Sequence, residues 1–91
     1  MRIAICDDNE IQIGIFMHRI NNFLKRNGDI KALITPYDKG QPLIDDVADG
    51  EWYDIVVLDI VLREENGIEV AKELRLNGYD GNIIFWTAHK E

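Results

Sequence analysis

Only one cysteine occurs in this chain, so no disulfide can form within it and packing must supply its stability. Cys6 sits in the apolar run Ile3–Cys6, which suits a small buried hydrophobe in a reducing cytoplasm better than a reactive thiol. No apolar stretch approaches the length of a membrane helix, and residues 1–6 lack a signal-peptide layout. Positive charge is scarce: 10 Lys and Arg face 17 Asp and Glu, a formal net charge of −7. That balance excludes broad nonspecific attraction to nucleic acid or to an anionic membrane surface. Zinc lacks ligands, because the two histidines, His18 and His89, fall on a helix and near the chain end. Neither repeats nor low-complexity segments occur, and 91 residues are enough for one small domain.

What is present is an alternation of short apolar runs and amphipathic stretches. Ile3 to Cys6 reads as a buried strand ending in Asp7-Asp8. A helix follows over 10–26, capped by Asn9 or Asp8, with Ile13, Phe16, Met17, Ile20 and Leu24 on one face. Asn27-Gly28 stops it. A second strand is predicted over 30–34, closed by Thr35-Pro36. Pro42 suits the first turn of a second helix, whose apolar face holds Leu43, Ile44 and Val47, and Gly50 ends it. The acidic residues Asp45, Asp46, Asp49 and Glu51 read as its solvated face. The third strand spans 53–59, a third helix follows Asn66-Gly67 and ends at Asn77-Gly78, and NIIFW (82–86) is the fourth strand. The order βαβαβαβ, with near-continuous apolar strands, predicts an α/β fold with an open, doubly wound parallel sheet.

In such sheets ligands gather at the carboxyl ends of the strands. Those ends carry Asp7 and Asp8, Asp59, and Thr87. Taken singly, each aspartate reads as a turn or helix cap. If the first and third strands are neighbours, three carboxylates share one corner and repel one another unless a cation sits between them. An all-oxygen donor set favours a hard ion, and an open carboxylate site suits Mg²⁺.

These residues, ICDDN after the first strand, VVLD at the third, Gly67 eight positions beyond Asp59, and FWTA at the fourth, resemble a response-regulator receiver domain, the CheY-like module of two-component signalling. The resemblance runs the length of the chain. It implies that Asp59 is the phosphoacceptor for a sensor histidine kinase, and that Mg²⁺ is held by Asp8, Asp59, the Val61 carbonyl and, mainly through water, Asp7. It also implies that Thr87 is the hydroxyl residue that turns toward the phosphoryl group. Such a domain is a signalling switch rather than an enzyme. The alternative within the family is a pseudo-receiver, never phosphorylated and acting as a scaffold, yet every acidic position is occupied. Outside the family, a haloacid-dehalogenase-type phosphatase needs an aspartate where Val61 stands. A flavodoxin-like cofactor binder needs a phosphate loop where Asp7-Asp8 stand.

Two departures shape the expectations. Leu62 and Arg63 replace the Met-Pro common after the acceptor, which resembles receivers of LytTR-type transcription regulators and implies a DNA-binding output domain elsewhere in the protein. A receiver has about five βα units in strand order 2-1-3-4-5, and this chain supplies three and a strand. Lys90 does not match the fifth-strand lysine. The reading is therefore the N-terminal portion of a receiver over 1–91, lacking the fifth strand and last helices. Expected consequences are weak Mg²⁺ binding, little stable phosphorylation, and self-association through the apolar edge of the fourth strand.

Overall fold

The computed structural model describes residues 1–28 and 30–86. Its elements are β1 (Arg2–Cys6), α1 (Glu10–Arg26), β2 (Leu33–Tyr37), α2 (Gly40–Ala48), β3 (Ile55–Asp59), α3 (Gly67–Leu76) and β4 (Asn82–Trp86). The strands form one parallel sheet in the order β2-β1-β3-β4. The expected doubly wound α/β arrangement is therefore present, with β1 and β3 as neighbours.

Alternation along β1 and β3 separates two cores. Ala4, Cys6, Val56 and Leu58 turn to the side covered by α2 and α3, where Leu43 and Leu74 pack. Ile3, Ile5 and Val57 turn to the other side and meet Ile13, with Phe16 and Met17 of α1 packed against them. A period-two strand that is apolar on both faces can only be stable with helices on both, which is why the runs show no polar alternation. Trp86 closes the α1 side, its ring 5.6 Å from Phe16.

The helix ends follow local chemistry. Asn9 Oδ1 accepts the N–H groups of Ile11 and Gln12, so Asn9, not Asp8, caps α1. Asn66 Oδ1 likewise accepts from Ile68 at the start of α3. Gly28, just past α1, has φ +102°, a left-handed conformation that suits glycine.

Three expectations need correction. β2 begins and ends three residues later than predicted, and Thr35-Pro36 lies inside it. Pro36 is tolerated because β2 is the end strand and, among the described residues, pairs only with β1, so a missing N–H can face away from the ladder. β3 starts at Ile55 rather than 53, although Tyr53 is buried: its hydroxyl meets that of Tyr37 at 2.6 Å, and its carbonyl accepts Tyr79 Oη–H at 2.8 Å. The acidic face is solvated at Asp45, Asp49 and Glu51 as expected, but Asp46 is half-buried and accepts the Tyr37 hydroxyl at 2.6 Å.

Leu43 has no exposed surface, whereas Leu33 is 62% exposed. Leu43→Ala is expected to lower unfolding free energy by about 2–5 kcal/mol, and Leu33→Ala to change it by no more than about 0.5 kcal/mol. Urea denaturation of both variants checks this; equal losses would contradict the core described above.

Candidate functional site

Parallel pairing of β1 with β3 sets Cys6 beside Leu58, so the residues that follow, Asp7 and Asp59, emerge at the same level. Asp7, Asp8 and Asp59 each offer a carboxylate oxygen, and these oxygens lie within 4.8 Å of one another. Asp7 and Asp59 are buried, while the Asp8 side chain keeps 25% of its exposure. Buried carboxylates are costly without hydrogen bonds. Asp7 Oδ1 accepts Asn9 N–H at 2.9 Å, and its own N–H donates to the Tyr37 carbonyl at 2.9 Å. Asp59 Oδ1 accepts Val61 N–H at 3.1 Å. The Arg63 guanidinium stands 4.0 Å from Asp8, but it is 80% exposed and adds little in water.

The segment after Asp59 folds back on itself. Ile60 donates to the Trp86 carbonyl at 3.1 Å, and Gly67 donates to the Ile60 carbonyl at 2.8 Å. Val61 forms an antiparallel bridge with Asn66, and Leu62 N–H reaches the Glu65 carbonyl at 3.3 Å. Leu62 turns inward as a plug, while Val61 stays exposed. Gly67 is required by close approach: a Cβ there would collide with the Asp59 carbonyl oxygen and crowd the Ile60 backbone. The loop from 60 to 66 therefore closes directly behind Asp59. A cleft of about 380 Å³ opens beside it, lined by Asp8, Lys39, Gln41, Leu62, Arg63 and Glu65 among others.

Of the residues singled out in the sequence, Asp7, Asp8 and Asp59 come together, and Val61 lies against Asp59 through its N–H. Thr87 lies outside the described residues, directly after Trp86, which pairs with Asp59 in the ladder. Glu65 was missed. Its carboxylate accepts the Gly40 N–H at 2.7 Å, a contact across 25 residues that no local spacing announces. Burial pushes the Cys6 thiol up to about 12, with Glu65, Asp7, Asp38 and Asp59 adding in that order. Cys6 is thus an inert thiol at the back of an acidic corner.

The donor set fits a small hard cation: three carboxylates, with neither imidazole nor thiolate among them. Mg²⁺ is a hard cation that takes oxygen ligands of this kind. Among the described residues, no helix is long and apolar enough to cross a membrane.

A doubly wound parallel sheet in the order β2-β1-β3-β4, with an acidic cluster at the strand ends, defines the CheY-like class of α/β domains. Within it, the family profile described as response regulator receiver domain matches residues 3–91, and the chain belongs to that family. Receiver domains are signalling switches of two-component systems. Among solved structures, the chain is similar to the N-terminal domain of a response regulator/sensory box/GGDEF three-domain protein from Carboxydothermus hydrogenoformans, at 25% identity and TM-score 0.76, covering 100% of this chain and 67% of that one. It is also similar to the response regulator TrrA from Thermotoga maritima, solved in complex with Mg²⁺-BeF, at 29% identity and TM-score 0.68, covering 98% and 70%. The MaeR response regulator bound to beryllium trifluoride is similar at 26% identity and TM-score 0.69, covering 100% and 70%. Among curated proteins, none matches significantly.

Two outcomes follow from the packing around Asp59. Gly67→Ala is expected to destabilise by at least about 1–3 kcal/mol, because only backbone stands in the way of the new methyl. Gly14→Ala, in an open position of α1, is expected to stabilise by up to about 1 kcal/mol. Shifts of the same sign in thermal unfolding would refute the close approach at Gly67. For Cys6, the unfolded chain sheds a proton above the ordinary thiol value of 9.0 that the folded chain keeps to about 12. Stability should therefore fall as pH rises across that window. Cys6→Ala is expected to show a shallower decline, read from urea midpoints at several pH values.

Proposed function

We propose that Asp59 is the phosphoacceptor of this receiver and takes its phosphoryl group from a histidine kinase. The observation that carries the reading is the convergence of three carboxylates at the ends of two neighbouring strands. An Asp59 oxygen forms the new P–O bond as the P–N bond to the kinase imidazole breaks. The electron pair returns to the imidazole nitrogen, which is reprotonated from solvent. The Val61 N–H on Oδ1 fixes the plane of the attacking carboxylate, and orientation of this kind is the main contribution a protein makes to phosphoryl transfer.

Asp8, Asp59 and the Val61 carbonyl would hold Mg²⁺, with Asp7 acting mainly through water. Bound there, the ion neutralises charge on the transferred oxygens. Asp7 is well suited to a fixed, indirect part, because its Oδ1 is already engaged by Asn9 N–H. The resemblance assigns Thr87, outside the described residues, as the hydroxyl that bonds the phosphoryl group and relays the change. The proline-free sequence Leu62-Arg63 supports an output domain of LytTR type, so we read the protein as a regulator of transcription whose DNA contacts lie outside these residues.

Incubation of the full-length protein with Mg²⁺ and a small phosphodonor, followed by intact mass spectrometry, tests the assignment. The wild type is expected to gain one phosphoryl group, Asp59→Asn none, and Asp8→Asn markedly less at the same Mg²⁺ concentration. An unmodified wild type, or equal labelling of Asp59→Asn, would overturn it.

A further inference from the structure

Two of the three helices are capped at their starts by their own asparagines, Asn9 and Asn66. α2 is not: Lys39 makes no side-chain capping bond, and no acidic residue lies in the first turn. The carboxylate at that helix start comes from another element, since Glu65 Oε1 accepts Gly40 N–H at 2.7 Å. Unpaired N–H groups and the helix dipole both favour an anion there. The contact is also sterically specified. A Cβ on Gly40 would stand 2.5 Å from Val70 Cγ2 and 3.1 Å from Glu65 Oε2, so a larger residue would push the carboxylate away.

Glu65 is at the same time part of the loop behind the acceptor. Its carbonyl receives Leu62 N–H, and the next residue, Asn66, is bridged to Val61. Val61 in turn donates to Asp59 Oδ1. A short chain of bonds therefore runs from the start of α2, through Glu65 and the loop, to the carboxylate of Asp59.

We propose that Glu65 is a positioning residue: its bond to Gly40 holds the loop over 60–66 against α2, so that the Val61 backbone keeps Asp59 oriented for the ion and the phosphoryl group. The inference rests on the receiver reading above. The competing account is that Glu65 only caps α2 and contributes stability without touching the site's behaviour.

The two accounts separate in Mg²⁺ titrations followed by Trp86 fluorescence, with Trp52→Phe as background, beside phosphorylation rates and amide exchange at Gly40. Trp86 is the reporter because it pairs with Asp59 in the ladder. Glu65→Ala is expected to weaken Mg²⁺ binding about tenfold, as loss of an outer partner of a metal ligand commonly does. It should also slow phosphorylation and expose the Gly40 amide to exchange. Glu65→Gln keeps an acceptor oxygen at the same reach and is expected to restore all three. If Glu65→Ala lowers the urea midpoint but leaves Mg²⁺ affinity and rate at wild-type values, the proposal is overturned in favour of a simple cap. If Glu65→Gln is as impaired as Glu65→Ala, the effect is one of charge, and the proposal is overturned as well. Should Glu65→Ala not fold, Glu65→Asp, one methylene too short to reach Gly40, is read by the same criteria. A wild type that takes neither Mg²⁺ nor a phosphoryl group sinks the phosphoacceptor reading alone. Glu65 is then judged on the Val61 amide resonance, whose constancy in the variant would overturn its positioning role.

Discussion

Two buried carboxylates side by side, Asp7 and Asp59, are the constraint to which much of this domain answers. Removing such groups from water costs several kcal/mol each unless partners replace the lost hydration. Among those partners are backbone N–H groups, from Asn9 and from Val61, held at hydrogen-bond distance by a helix start and by a folded-back loop. With Asp8 beside them, the corner gathers three carboxylate oxygens within 4.8 Å of one another, an all-oxygen set of the kind a hard divalent ion favours.

The sheet makes the corner possible through order and phase. Because β1 and β3 are adjacent, parallel and in register, two aspartates that are 52 residues apart in sequence end at one level. Because side chains alternate, the residues just before them divide between two cores, Ile5 and Val57 toward α1, Cys6 and Leu58 toward α2 and α3. A shift of one residue in either strand would trade these sets and pull the carboxylates apart. The apolar packing that stabilises the domain is thus also what fixes the spacing of its charges.

Much of this was legible in the sequence, for reasons that differ by element. β1, β3 and β4 are apolar on both faces, so their existence showed as unbroken runs, and the aspartates showed as the residues that end them. Asn9, Asn66 and Gly28 spoke for helix ends because caps are local chemistry. β2 was misplaced because Pro36 was read as a stop, a rule that holds in the middle of a sheet and lapses on an edge, and edges are a property of the whole topology. Tyr53 was placed in a strand by its character but is buried by its bonds to Tyr37 and Tyr79. Glu65 carried no signal at all. On a loop beside Glu64 it looks like any solvated acid, and only the approach of α2 gives it a partner.

Both halves of α2 are tied to the acidic corner, and by independent routes. At its start, Gly40 is bound by Glu65 of the loop that follows Asp59. Further along, Asp46 accepts the hydroxyl of Tyr37, whose carbonyl accepts the N–H of Asp7. Burial, then Asp46, then Tyr53 raise the Tyr37 hydroxyl's pKa, so it remains a donor through the physiological range. One route reaches Asp59 from behind and the other reaches Asp7 from the neighbouring strand. The two ends of α2 are thus joined by hydrogen bonds to the elements that carry Asp59 and Asp7. The helix that covers the core on this side is therefore also bonded to the framework that positions the acidic corner.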